Sequence, residues 1–210
     1  IAPIVATEAC QDKIDAARDA YDKLTLAQQE LVANYDDLLA AEAVKPVVDK
    51  IAAIGTIDGS EACQGRITDA RKAFDELDED EQALVSNKDD LLNAEAVEPV
   101  VEKINAIGEV TYPTSKTAIE GARSAYGELN ETQQGLVPAE ILKALEDAEG
   151  EFKESDDAAK ANAVIEKINA IGEVTYPTSK TAIDAARAAY NELTADQKAL
   201  IAAETLKVTT

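Results

Sequence analysis

The sequence contains no histidine, methionine or tryptophan, has two cysteines, and draws only 4 % of its 210 residues from the aromatics. Without an imidazole, histidine-based acid–base catalysis, Ser-His-type triads and nearly every usual zinc site are excluded. Positive charge is also scarce: 20 Lys and Arg face 42 Asp and Glu, a formal net charge of -22. That balance argues against a nucleic-acid partner, because phosphate contacts need clustered cations. No apolar run approaches the roughly 18 residues of a membrane helix, so no span is expected. Two cysteines are too few for a disulfide framework. What is present is a hydrophobic fraction of 46 %, which belongs to a folding chain and not to an acidic disordered tail.

Self-similarity is the strongest signal. Residues 102–119 and 166–183 both read EKINAIGEVTYPTSKTAI, eighteen identities without a gap. The likeness extends to segments starting at 11, 64, 116 and 180, which makes four copies at offsets of 53, 52 and 64 residues. The longer last offset places an insertion of about a dozen residues in the third copy, within 143–162. Ile1 and Ile4 correspond to Ile54 and Ile57, so the first copy lacks its opening helix, and the last stops before its closing helix is complete. The chain does not begin with Met and has no leader-like pattern; it reads as a segment cut from a longer array.

Each copy reads as a small helical bundle. Ile14, Ala17, Tyr21 and Leu24 recur at spacings of three, four and three, as do Ile67, Ala70, Phe74 and Leu77, which puts them on one helical stripe. Thr25, Asp78, Asn130 and Thr194 each precede Gln or Glu by three residues. That is a capping box, so a short helix starts at each. Asn34 and Asn87 are expected to cap a further helix with Asp36, Asp37, Asp89 and Asp90 in its first turn. Pro46 and Pro99 should interrupt those helices and mark the joints between copies. Gly55, Gly108 and Gly172 are C-cap candidates. The fold expected is all-α: tandem bundles of about 53 residues forming an extended rod. Its repeats are 1–45 (first helix absent), 46–98, 99–155 (with the insertion) and 156–210 (last helix incomplete).

The run V-T-Y-P-T-S-K-T-A-I-x-x-A-R-x-A-Y-x-x-L-T-x-x-Q-K-x-L-I at 174–201 resembles the helical repeats of large surface or secreted proteins of Gram-positive bacteria. The resemblance covers nearly the whole chain. It implies an extracellular or cell-surface location and tandem neighbours in the same polypeptide, and it carries no catalytic residues with it.

Four constellations invite a functional reading. Acidic pairs such as 36–37, 78–81 and 154–157 lie at caps or on solvated faces, where acid–base chemistry has no shaped cleft. They lack the spacing of a calcium loop; no metal or other cofactor is expected. Arg18, Arg71, Arg123 and Arg187 recur at one helical position. They either present one guanidinium per copy to an acidic or glycan partner, with Arg123 and Arg187 as candidates, or pair with an acid one turn earlier, at Asp15, Glu120 or Asp184. Cys10 and Cys63 occupy equivalent places in different copies, as free, partly buried thiols or as an intermolecular disulfide. Tyr112 and Tyr176, in the TYPTS loops, are either surface recognition residues beside a rigid proline or covers for the end of a bundle. The Ser and Thr of those loops suit the cap of the next helix.

These observations lead to the expectation of a non-enzymatic extracellular spacer or stalk in a bacterial surface protein. The alternatives are an adhesin-type module binding a host protein or glycan, and a filament subunit whose unfinished ends complete one another by self-association.

Overall fold

The computed structural model describes residues 2–175 and 177–208, with side chains through residue 202. Eleven helices occur among the described residues: α1 (Glu8–Asp22), α2 (Leu26–Gln29), α3 (Tyr35–Ala52), α4 (Glu61–Asp75), α5 (Glu79–Ala83), α6 (Lys88–Asn105), α7 (Lys116–Glu128), α8 (Glu131–Gln134), α9 (Ala139–Asn169), α10 (Lys180–Glu192) and α11 (Ala195–Val208). The fold is all-α. The nearest thing to sheet among the described residues is one isolated parallel bridge, Ile4 with Val85. No helix among the described residues is long and apolar enough to cross a membrane.

Local chemistry sets most of the helix ends. Thr7 caps α1 by accepting from the Cys10 amide at 3.3 Å, and Ser60 caps α4 by accepting from the Cys63 amide at 3.1 Å. At all four capping boxes the residue three positions after the cap reaches back. Gln28, Glu81, Gln133 and Gln197 accept from the backbone amides of Thr25, Asp78, Asn130 and Thr194 at 2.9–3.1 Å. The short helices α2, α5 and α8 end within a turn, whereas α11 runs on to Val208. The reason is in the sequence: Asn34, Asn87 and Pro138 follow the first three, and the fourth continues Ala202, Ala203, Glu204, with nothing to stop it. Gly55, Gly108 and Gly172 adopt φ of 67°, 59° and 60° just past their helices, a region that glycine enters without a Cβ penalty.

Two expectations fail here. Pro46 and Pro99 lie inside α3 and α6, so each proline costs one backbone hydrogen bond without ending the helix. Buried Val44, Val47 and Val48 around Pro46, and Val97, Val100 and Val101 around Pro99, anchor both flanks. Asn34 and Asn87 occupy the N-cap positions but make no side-chain cap bond. The Asn87 amide donates instead to the Val48 carbonyl of α3 at 3.0 Å. The aspartates do stand in the first turns. The expected insertion is absorbed as helix: α9 is 31 residues long where α6 has 18.

The chain divides into two compact units, one of residues 1–106 and 121–143, the other of residues 107–120 and 144–210. In the first, α3 packs against α1, α4, α5 and α6, and α6 also against α4 and α8. Its core is built on Val44, Val48, Cys63, Ala70, Leu91, Val97 and Val101, none with exposed surface. The second unit has a smaller core in which Ala161 and Val164 of α9 meet Ile201 of α11, with Ile165, Ala189 and Leu193 against them.

Candidate functional site

The TYPTS loop at 111–115 is a self-contained turn. Ser115 is buried, and its Oγ accepts from the Thr111 amide at 2.9 Å and lies 3.5 Å from the Glu109 carbonyl, to which it donates. The Thr111 and Thr114 hydroxyls are 2.6 Å apart, and the Ser115 amide donates to the Thr111 carbonyl at 2.9 Å. The Tyr112–Pro113 bond is cis. Ser179 in the second such loop makes no side-chain cap bond to α10; its Oγ accepts from the Thr175 amide at 3.0 Å. At Ser179 the hydroxyl therefore closes the loop on itself instead of capping the following helix, because it binds the backbone amide four residues back.

Tyr112 is partly packed and partly exposed. Its ring lies 5.5 Å from that of Phe152 on α9, tilted by 36°, yet it keeps 43 % of its surface exposed. The ring is thus packed on α9 on one side and open to solvent on the other. Tyr176 lies outside the described residues.

Two of the recurring arginines, Arg18 and Arg71, are ion-paired to acids on another helix. Arg18 forms a forked pair with Glu42 of α3: Nε donates to Oε1 at 2.6 Å and Nη2 to Oε2. Its Nη1 donates to the Tyr35 hydroxyl at 3.2 Å, over a Tyr21–Tyr35 stack with centroids 4.0 Å apart. Arg71 makes the same fork with Glu95 of α6 and lies 5.3 Å from the Phe74 centroid. The acids on their own helix, Asp22 and Asp75, stand one turn later, not one turn earlier as the spacing suggested. The hydrogen bonds from Arg18 hold the Glu42 carboxyl below the ordinary carboxylate range, and those to Glu42 and Tyr35 push the guanidinium further up. Arg123 rests 5.7 Å from the Tyr126 centroid. Arg187 is exposed and lines a shallow groove with Ile168, Ile171, Ile183 and Tyr190.

Both cysteines are free thiols. Cys63 has no exposed surface, and its Sγ lies 3.5 Å from the Thr56 carbonyl. A disulfide to another molecule through Cys63 would therefore require α4 to open first, whereas Cys10 is partly exposed. No group of three or more His, Cys, Asp or Glu among the described residues is placed to hold a metal ion.

One surface escaped the sequence reading. Along α1 and α3 runs a groove of about 480 Å³ floored by Ile14, Ala17, Leu38 and Ala41. A signal for it was present, since Ile14 and Ala17 repeat the apolar stripe positions of Ile67 and Ala70.

Comparison of the chain with protein-family models, with curated proteins and with solved structures finds no match.

Proposed function

We propose that the chain is a non-enzymatic spacer, a run of tandem helical units that share helices and extend as a rod in an extracellular bacterial surface protein. One observation carries this reading. α3 is continuous through Pro46 and serves two sequence copies: Glu42 in its first half binds Arg18 of α1, while the carbonyls of Val48 in its second half and of Ile54 just past its end accept from Asn87 and Arg66. A helix shared in this way transmits orientation from one copy to the next without a flexible linker. The -22 charge supports the same role, because self-repulsion keeps such an array soluble and unfolded on itself no further than its helices allow. The surface location follows from the likeness of the repeat run to bacterial surface repeats.

Small-angle scattering over a concentration series tests it. A rod of four units, on the order of 100 Å long by helix geometry, has a radius of gyration near ~30 Å. A compact particle of this length gives about 17 Å and contradicts the proposal. Mass that grows with concentration would favour a self-assembling filament subunit.

A second reading rests on Tyr112, an exposed aromatic on a hydroxyl-locked loop. Such a residue suits a host protein or glycan surface, as in an adhesin-type module.

A further inference from the structure

The first sequence copy leaves open a groove that the second copy fills. Its wall carries Cys10, Lys13, Ile14, Ala17, Leu38 and Ala41, with residues 2–5 along the rim. Adding 53 to each number gives Cys63, Arg66, Ile67, Ala70, Leu91 and Ala94. Ile14 and Ala41 are buried like Ile67 and Ala94, but Cys63, Ala70 and Leu91 have no exposed surface, whereas Ala17 is exposed and Cys10 and Leu38 are only partly covered. The difference is the second half of α3 and the residues just past it, which pack on α4 and α6 with Val47, Val48, Ile51 and Ile54 each 4 % exposed or less.

The polar contacts of that seat are also duplicated. Arg66 Nε donates to the Ile54 carbonyl at 3.0 Å, just beyond the C-terminus of α3, and Asn87 Nδ2 donates to the Val48 carbonyl at 3.0 Å. The counterparts Lys13 and Asn34 both line the open groove. A lysine there suits the carbonyl end of an incoming helix, where the helix dipole is negative, and Asn34 can offer its amide to a mid-helix carbonyl.

We propose that this groove is a docking seat for an amphipathic helix with the Val-Val-x-x-Ile-x-x-Ile stripe of residues 47–54, seated with its C-terminal carbonyls at Lys13. The inference rests on reading the chain as interlocking repeats and does not depend on the spacer role. It identifies the joint by which a further unit of the same kind would be added. Groove and stripe complement one another in shape because the same pair already meets between α3 and α4–α6.

The test extends the full chain at its N-terminus with a second copy of residues 37–53, which puts the copied Ala53 directly before Ile1, in the register of the second copy. The readout is the alkylation rate of Cys10, with buried Cys63 as internal reference. Seating of the added helix slows Cys10 by at least about tenfold, the effect of about 1.4 kcal/mol of closure. The protection disappears when the added copies of Val48 and Ile51 are changed to Asp, or when Ala17→Glu is placed in the groove. An unchanged Cys10 rate in an extended chain with its helical circular dichroism intact overturns the proposal, whatever scattering says of the rod. Cys10 protection that rises with concentration in the unextended chain would make a second copy the occupant and overturn it too.

Discussion

Cys10 and Cys63 hold the same position in sequences 53 residues apart, each three residues behind a hydroxyl cap at the start of a 15-residue helix. One is partly exposed and the other has no exposed surface. Ala17 and Ala70, and Leu38 and Leu91, differ in the same direction. The residues and their local helices are alike, so the difference comes from what lies across from them. Ile14 and Ala41 are buried in the first copy as Ile67 and Ala94 are in the second, so one copy's pattern buries part of the stripe and the neighbouring copy adds Cys63, Ala70 and Leu91 to it. A unit of about 53 residues sits near the lower limit for burying enough surface alone, and the shared helix α3 supplies what the second copy lacks by itself.

The sharpest way to break this comparison is to put a charge at the paired alanines. Ala70→Glu places a carboxylate where no surface is exposed and should cost roughly 3 kcal/mol or more. Ala17→Glu, on an exposed position of the otherwise equivalent helix, should change stability by less than about 0.5 kcal/mol. Urea unfolding followed by circular dichroism measures both, and equal losses would mean that the first copy is as closed as the second.

The smaller effect concerns a feature that the two copies share. The Arg18–Glu42 and Arg71–Glu95 forks have the same geometry and similar side-chain exposure, so Glu42→Gln and Glu95→Gln should lower stability at pH 7 to a similar, modest extent. For Glu42 the sign with pH is fixed. Its folded carboxyl titrates below the ordinary value of 4.5 because of its hydrogen bonds to Arg18. The stabilisation is therefore complete above that value and is lost as pH falls through the lower folded one. The gap between the native chain and Glu42→Gln should close in acid; a gap that widened there would show that the pair does not act through its charge.

Much of the fold was legible because its signals are local. The 3-4-3 spacing of Ile67, Ala70, Phe74 and Leu77 marks α4, and each Thr, Asp or Asn followed by Gln or Glu marks a new helix start. What failed was non-local. The partner of Arg18 is 24 residues away on α3, a distance that no rule of i+3 or i+4 spacing reaches. Pro46 looked like a joint because its penalty is local, while the buried valines that hold the helix together on both sides of it act through α1, α4 and α6. Asn87 looked like a cap, but its Nδ2 donates to the Val48 carbonyl, an orientation in which Oδ1 accepts from no first-turn amide. Ser179 was misread as a helix cap, since the backbone four residues back was the nearer partner.

The central claim is that α3 acts as one helix for two copies, and native-state hydrogen exchange across Pro46 tests it most directly. The amides of residues 41–45 before the proline and 48–52 after it should open with a single free energy, and Val48→Asp should lower protection on both sides together. Separate opening energies on the two sides, with Val48→Asp loosening only the α4 side, would contradict it.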